Sequence, residues 1–162
     1  MMMEIELNYK LTGTGWAECY IEIYGRFCKV TASYLSDALG DLVSAVNYIF
    51  NSEYEIKSSF TEEPGEYRWI LIPQKNNGLQ IKIIDFPQTW NQKPDEEGEL
   101  MFDVTVSKYE FSLAILNMLE TLLSEYGVLE YKKQWVKHDF PVGDYRSLCI
   151  KLGRKPMKCL FM

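Results

Sequence analysis

The chain has 162 residues, 47% of them hydrophobic, with 4 Trp, 11 Tyr and 8 Phe, which is enough for one folded domain with a sizeable core and excludes disordered, collagen-like and disulfide-scaffold classes. Seventeen Lys and Arg against 23 Asp and Glu give a net charge of −6, so the whole molecule should repel nucleic acid and anionic membranes. The charge is divided, however: residues 1–131 hold 21 acids and 9 bases, net −12, while residues 132–162 hold Asp139, Asp144 and 8 bases, net +6.

The start, Met1 to Glu6, has no basic segment ahead of an apolar run of signal-peptide length. No later run approaches the ~20 apolar residues that span a bilayer. The expectation is a cytoplasmic protein. Cys19, Cys28, Cys149 and Cys159 show no C-x-x-C spacing and read as reduced, largely core-packing thiols.

Residues 3–11 place Met3, Ile5, Leu7, Tyr9 and Leu11 on one phase of a half-buried strand. Thr12-Gly13-Thr14-Gly15 supplies a reversal, and Ala17, Cys19, Ile21 and Ile23 form the apolar phase of a second strand. The other phase of that strand is Trp16, Glu18, Tyr20, Glu22 and Tyr24. Left open, it is an aromatic and acidic surface fit for a partner or a second copy; covered by the C-terminal segment, it is a second core. A third strand runs from Phe27 to Ser33, and from Ser36 the period changes to that of an amphipathic helix, with Ser36 or Asp37 as its cap.

Three further strands are predicted around Tyr67–Ile72, Leu79–Ile84 and Leu100–Val106, the first two joined by Asn76-Asn77-Gly78. Ser107-x-x-Glu110 then opens a long helix that Gly127 ends. Two short helices follow, near 129–137 and 143–152. The order βββα-βββα predicts a single α+β domain over residues 1–162: an antiparallel sheet of about six strands, helices on one face, and two short C-terminal helices.

Two loops share a composition, Glu62-Glu63-Pro64-Gly65-Glu66 and Asp95-Glu96-Glu97-Gly98-Glu99. In an antiparallel meander both precede strands that start at the same end of the sheet, so Glu62, Glu63, Glu66, Asp95, Glu96, Glu97 and Glu99 should crowd there, with Asp85 nearby. Such a cluster attracts a cation or a basic protein surface, although EF-hand spacing is absent. Catalytic patterns are poor: His138 is the single histidine, Cys149 lies eleven residues on as the one weak dyad candidate, and no nucleophile elbow, dinucleotide fingerprint or zinc spacing is present. No cofactor or metal is expected.

The strings Thr12-Gly13-Thr14-Gly15-Trp16-Ala17-Glu18, Ser33 to Leu42, Glu63-Pro64-Gly65-Glu66-Tyr67-Arg68-Trp69, and Tyr131-Lys132-x-x-Trp135-x-x-His138-x-Phe140-Pro141 resemble a family of small, mostly uncharacterised bacterial proteins. Its members are similar in size and acidity to the immunity proteins that neutralise bacterial toxins. The resemblance covers most of the chain and brings no site residues with it. The leading expectation is therefore a non-enzymatic, immunity-like module that blocks a basic protein such as a toxin domain. It would use the acidic end for steering and Trp16, Tyr20 and Tyr24 as anchors. The alternative is a ligand site or enzyme cleft built on Arg68, Trp135 and His138. Homodimerisation through the aromatic face is a third expectation.

Overall fold

The computed structural model describes residues 5–88 and 93–158. Met3 and Glu4 of the first predicted strand, and Cys159, lie outside them. Strands β1 (Ile5–Gly13), β2 (Trp16–Ile23) and β3 (Arg26–Ser33) form an antiparallel sheet in that order. Period-two alternation decides its inner face: Leu7, Tyr9, Leu11, Ala17, Cys19, Ile21, Ile23, Cys28, Val30 and Ala32 are all buried. Helix α1 (Ala38–Tyr48) starts where predicted, because the Asp37 carboxylate accepts the Gly40 N–H at 3.2 Å and so satisfies one of the helix's orphan donors.

Here the structure corrects the expected single sheet of six strands. A strand that periodicity missed, β4 (Ile56–Thr61), precedes β5 (Glu66–Pro73), β6 (Gly78–Phe86) and β7 (Glu99–Ser107), and these four form a second antiparallel sheet in chain order. The order is βββα-ββββα. On β4 the inward positions are Ile56, Ser58 and Phe60, and the serine interrupts the apolar phase that marks a strand. The sheets separate because α1 follows β3 and leads the chain to a new edge. Strand β3 lies beside β4, β5 and β7 but shares no ladder with them.

The second half follows its signals more closely. Ser107 Oγ accepts the Glu110 N–H at 3.1 Å to open α2 (Lys108–Glu125). Helices α3 (Gly127–Trp135) and α4 (Val142–Leu152) follow. Helix α2 packs on β1 and β7, and α4 packs on α1 and α2. The basic segment helps to fasten α1: Lys151 Nζ donates to the Asn47 carbonyl at 2.9 Å, a cation on the last turn of the helix, and Asn47 Nδ2 donates to the Asp144 carbonyl at 3.0 Å. The helices and both inner sheet faces share one core. No helix among the described residues is long and apolar enough to cross a membrane.

The outer face of the second sheet carries a small core of its own, Ile70, Ile84 and Phe86. Each acidic loop carries a glycine at a close approach to the end of β6: Gly98 lies over this core, and Gly65 lies against the backbone of Phe86 and Pro87. A Cβ on Gly65 would lie 2.6 Å from the Phe86 carbonyl oxygen, and one on Gly98 would lie 2.3 Å from Ile84 Cγ2 and 2.6 Å from the Phe86 ring. Gly98→Ala is accordingly expected to lose about 1–3 kcal/mol through overpacking, read as a lower urea midpoint at unchanged slope.

Candidate functional site

Register builds the acidic end. Glu66 pairs with Phe86 and Asp85 with Glu99, so the starts of β5 and β7 do lie together at the end of β6. Electrostatics agrees with the register: burial pushes the Asp85 carboxyl up and Glu99 adds to this, while burial followed by the charges of Asp85 and Glu63 does the same to Glu62, against an opposing backbone hydrogen bond. Glu63, Glu96, Glu97 and Glu99 are exposed, and Glu62 is half-buried.

Glu66 departs from the expected surface role. It is 2% exposed, and its carboxylate accepts from Arg68 Nη2 at 3.0 Å and from the Ser59 hydroxyl. Arg68, itself 6% exposed, also donates from Nη1 to Asp95 Oδ1 and to the Lys93 carbonyl, both at 2.8 Å, and its guanidinium lies 4.2 Å above the Phe86 ring. Lys57 Nζ reaches Asp95 Oδ2 at 2.8 Å. Lys57 also reaches the exposed Glu55 at 3.6 Å, so two cations face three carboxylates. The cluster clamps the 93–98 segment onto the outer face of the sheet, and its charges are spent on one another.

The aromatic face of the first sheet is open among the described residues. Tyr20 stacks on Phe27 with ring centroids 6.1 Å apart, and its hydroxyl donates to Glu22 at 2.6 Å, a bond that pushes the phenol up to about 12. Glu22 sits opposite Phe27 in the ladder. Phe27 then joins Leu100 and Met101 of β7 around a concavity of about 350 Å3. Exposure is 61% for Tyr24, 66% for Phe27, 54% for Leu100 and 43% for Met101. Trp16, 39% exposed, stands apart, about 13 Å along β2 from Tyr20 at ~3.3 Å per residue. Sequence reasoning singled out Tyr20 and Tyr24 but missed Phe27, Leu100 and Met101. The parity of β3 could have found Phe27, because Cys28, Val30 and Ala32 occupy the other phase.

Arg68, Trp135 and His138 do not converge. Trp135 is 0% exposed and belongs to the core, so it cannot touch a ligand in the cleft. Arg68 lines a concavity of about 640 Å3 between α1 and β4, and His138 lines one of about 530 Å3 between α1 and the segment before α4. The two share Asp41 and Ser44, so they form one groove along the outer stripe of α1. His138 Nε2 lies 3.3 Å from the Tyr34 carbonyl oxygen. Tyr34 sits where the β1–β2 turn meets the end of α3: the Gly15 N–H donates to the Gln134 carbonyl at 2.8 Å, and the Tyr34 N–H to the Gly15 carbonyl at 2.9 Å.

Cys149 is buried against Tyr145, away from the groove, so no Cys–His dyad forms. Burial pushes up the thiols of Cys19, Cys28 and Cys149, that of Cys28 to about 11, and all three remain protonated near neutrality. Among the described residues no group of three or more His, Cys, Asp or Glu side chains is placed to hold a metal ion. No family model, curated protein or solved structure matches the chain.

Proposed function

We propose that the chain is a protein-binding module that holds a basic partner against the open face of the first sheet and the start of β7, as an immunity-like inhibitor would hold a toxin domain. The observation that carries this reading is one surface: Phe27, Leu100 and Met101 lie exposed around one concavity, Tyr20 stacks on Phe27 beside Glu22, Tyr24 is exposed in the turn before Phe27, and Leu100 follows the acidic Glu96–Glu99 stretch. Large apolar side chains in the open mark an interaction site when they gather at a concavity rather than scatter. Carboxylates beside them steer a cationic partner and repel an anionic one. The resemblance to small acidic bacterial proteins points in the same direction. Glu66 and Arg68 take no part, since each is buried in the clamp described above.

The two components should separate in kinetics. Reversing charge at Glu63, Glu96 and Glu97 to Lys should slow association with the basic partner by about tenfold or more at low salt and leave dissociation nearly unchanged. Truncating Phe27 and Met101 together to Ser should instead speed dissociation, by about a hundredfold for two buried anchors at ~1.4 kcal/mol each. Surface plasmon resonance at two ionic strengths reads both. Equal binding by all three proteins would overturn the reading, and capture of a second copy alone would replace it with homodimerisation.

A further inference from the structure

We infer that the free edge of β4, beside α1, takes an extended segment of a basic protein by strand addition. This rests on the binding role proposed above and gives it a second contact, remote from Phe27. Strand β4 pairs only with β5, so one of its edges has no ladder. Two hydrogen bonds fix which residues face that edge. The Glu62 N–H turns toward the hairpin partner and donates to the Gly65 carbonyl at 2.8 Å, whereas the Thr61 N–H turns away and donates to Ser36 Oγ at 3.3 Å. In an unbroken antiparallel register the direction alternates, and β4 pairs with β5 from Ile56 to Thr61 without a bulge. The N–H and C=O of Ser59 and Lys57 therefore point outward, as those of Thr61 do. Among the described residues nothing accepts from or donates to them.

The same alternation at the opposite edge of this sheet turns the Asp103 carbonyl outward, where it accepts from Arg26 Nη1 at 3.1 Å, so that edge is partly closed. The β4 edge instead opens on the groove of about 640 Å3, which the consecutive residues Ile56 to Ser59 line. Ser58, 6% exposed, points inward from this edge with its hydroxyl unpartnered, so the groups offered to an arriving strand are the outward main-chain N–H and C=O of Lys57 and Ser59. Edge strands usually discourage such pairing with a projecting lysine. Here Lys57 is drawn over the outer face by Asp95 at 2.8 Å and leaves the edge accessible.

Charge selects the occupant. The cations on the β4 side of the groove are paired, Lys57 and Arg68 with Asp95 and Lys93 with Glu97 at 3.6 Å; across it stand the exposed Asp41 and, beyond it, Asp37, Asp144 and Asp139, the last paired with Lys132 at 3.3 Å, around His138 and Lys137. The Asp41 carboxylate makes no ion pair among the described residues; burial and then the charge of Asp37 push its pKa up, partly offset by His138. A lysine or arginine on the added strand would relieve that repulsion, so the edge should prefer alternating, uncharged segments with one basic side chain directed at α1.

Selection of a phage-displayed random-peptide library on the full chain tests this. Enriched peptides should carry a Lys or Arg, and Asp41→Asn should abolish that preference. Ser44→Trp fills the groove from the helix side and should weaken the enriched peptides about tenfold or more, the equivalent of one or two main-chain hydrogen bonds. Ser59→Pro, which removes an outward N–H and spares the ladder, should do the same where circular dichroism shows that the fold is kept. Phe27→Ser should leave these peptides bound. No enrichment, or enriched peptides indifferent to Ser44→Trp, would overturn the edge inference. A protein partner that needs Phe27 yet ignores Ser44→Trp would overturn it while leaving the proposed function standing.

Discussion

Arg68→Ala is expected to cost about 3–5 kcal/mol of folding stability, or roughly 10 °C in thermal midpoint for a domain of this size. The loss is large because of what is removed: Glu66, 2% exposed, would lose the guanidinium that balances its charge, and Asp95 would lose its bond to the sheet. Adding Glu66→Gln to Arg68→Ala should recover a substantial part, since the second change removes that charge. Acid titration gives an independent sign. Burial pushes the Asp95 carboxyl up, but the bonds from Lys57 and Arg68 more than reverse this and leave it below its ordinary value. A carboxyl with a lowered folded pKa adds stability above its unfolded value and loses it as pH falls through the folded one. The wild-type protein should therefore lose stability as pH drops below about 4, and Arg68→Ala should flatten that limb. A cost under about 1 kcal/mol with an unchanged acid limb would mean that the clamp does not hold the loop.

Trp135→Ala is expected to cost about 3–5 kcal/mol, as deletion of a fully buried indole does, and to change partner binding only through the folded fraction. Trp135→Phe should cost about 1 kcal/mol or less, because the indole N–H is buried without a partner and its removal offsets part of the lost volume. Equilibrium urea denaturation of the three proteins measures both values. A near-neutral Trp135→Ala would place this side chain outside the core and reopen a ligand role for it. Together the two substitutions test whether Arg68 and Trp135 serve the fold rather than a shared ligand site.

The sequence disclosed most strands through alternation, and it disclosed the helix starts through Asp37 and Ser107, because those signals are local. Ser58 hid β4, since a polar residue stands at an inward position whose neighbours are Ile56 and Phe60. The split into two sheets was illegible for a different reason. Whether β3 pairs with a later strand depends on where α1 sends the chain, and hairpin signals do not reach that far. The convergence of the acidic loops followed from strand direction alone and agrees with the register of Asp85 with Glu99. Glu66 was misplaced because loop composition outweighed parity: two residues before Arg68 on one strand, it had to share that side chain's face. The parity of β3 marks Phe27 as outward, but its meeting with Leu100 and Met101 comes from two sheets, and no periodicity within one strand reveals that.

Position-specific photocrosslinking in host cells tests the binding role most directly. A photoreactive phenylalanine analogue is placed in turn at Phe27, at Met101, and at the distant exposed residues Tyr54 and Leu129, which are 81% and 78% exposed. The proposed surface predicts that Phe27 and Met101 capture the same protein, that this protein is basic, and that the control positions do not capture it. No shared partner from Phe27 and Met101, or equal capture from Tyr54 and Leu129, would contradict it.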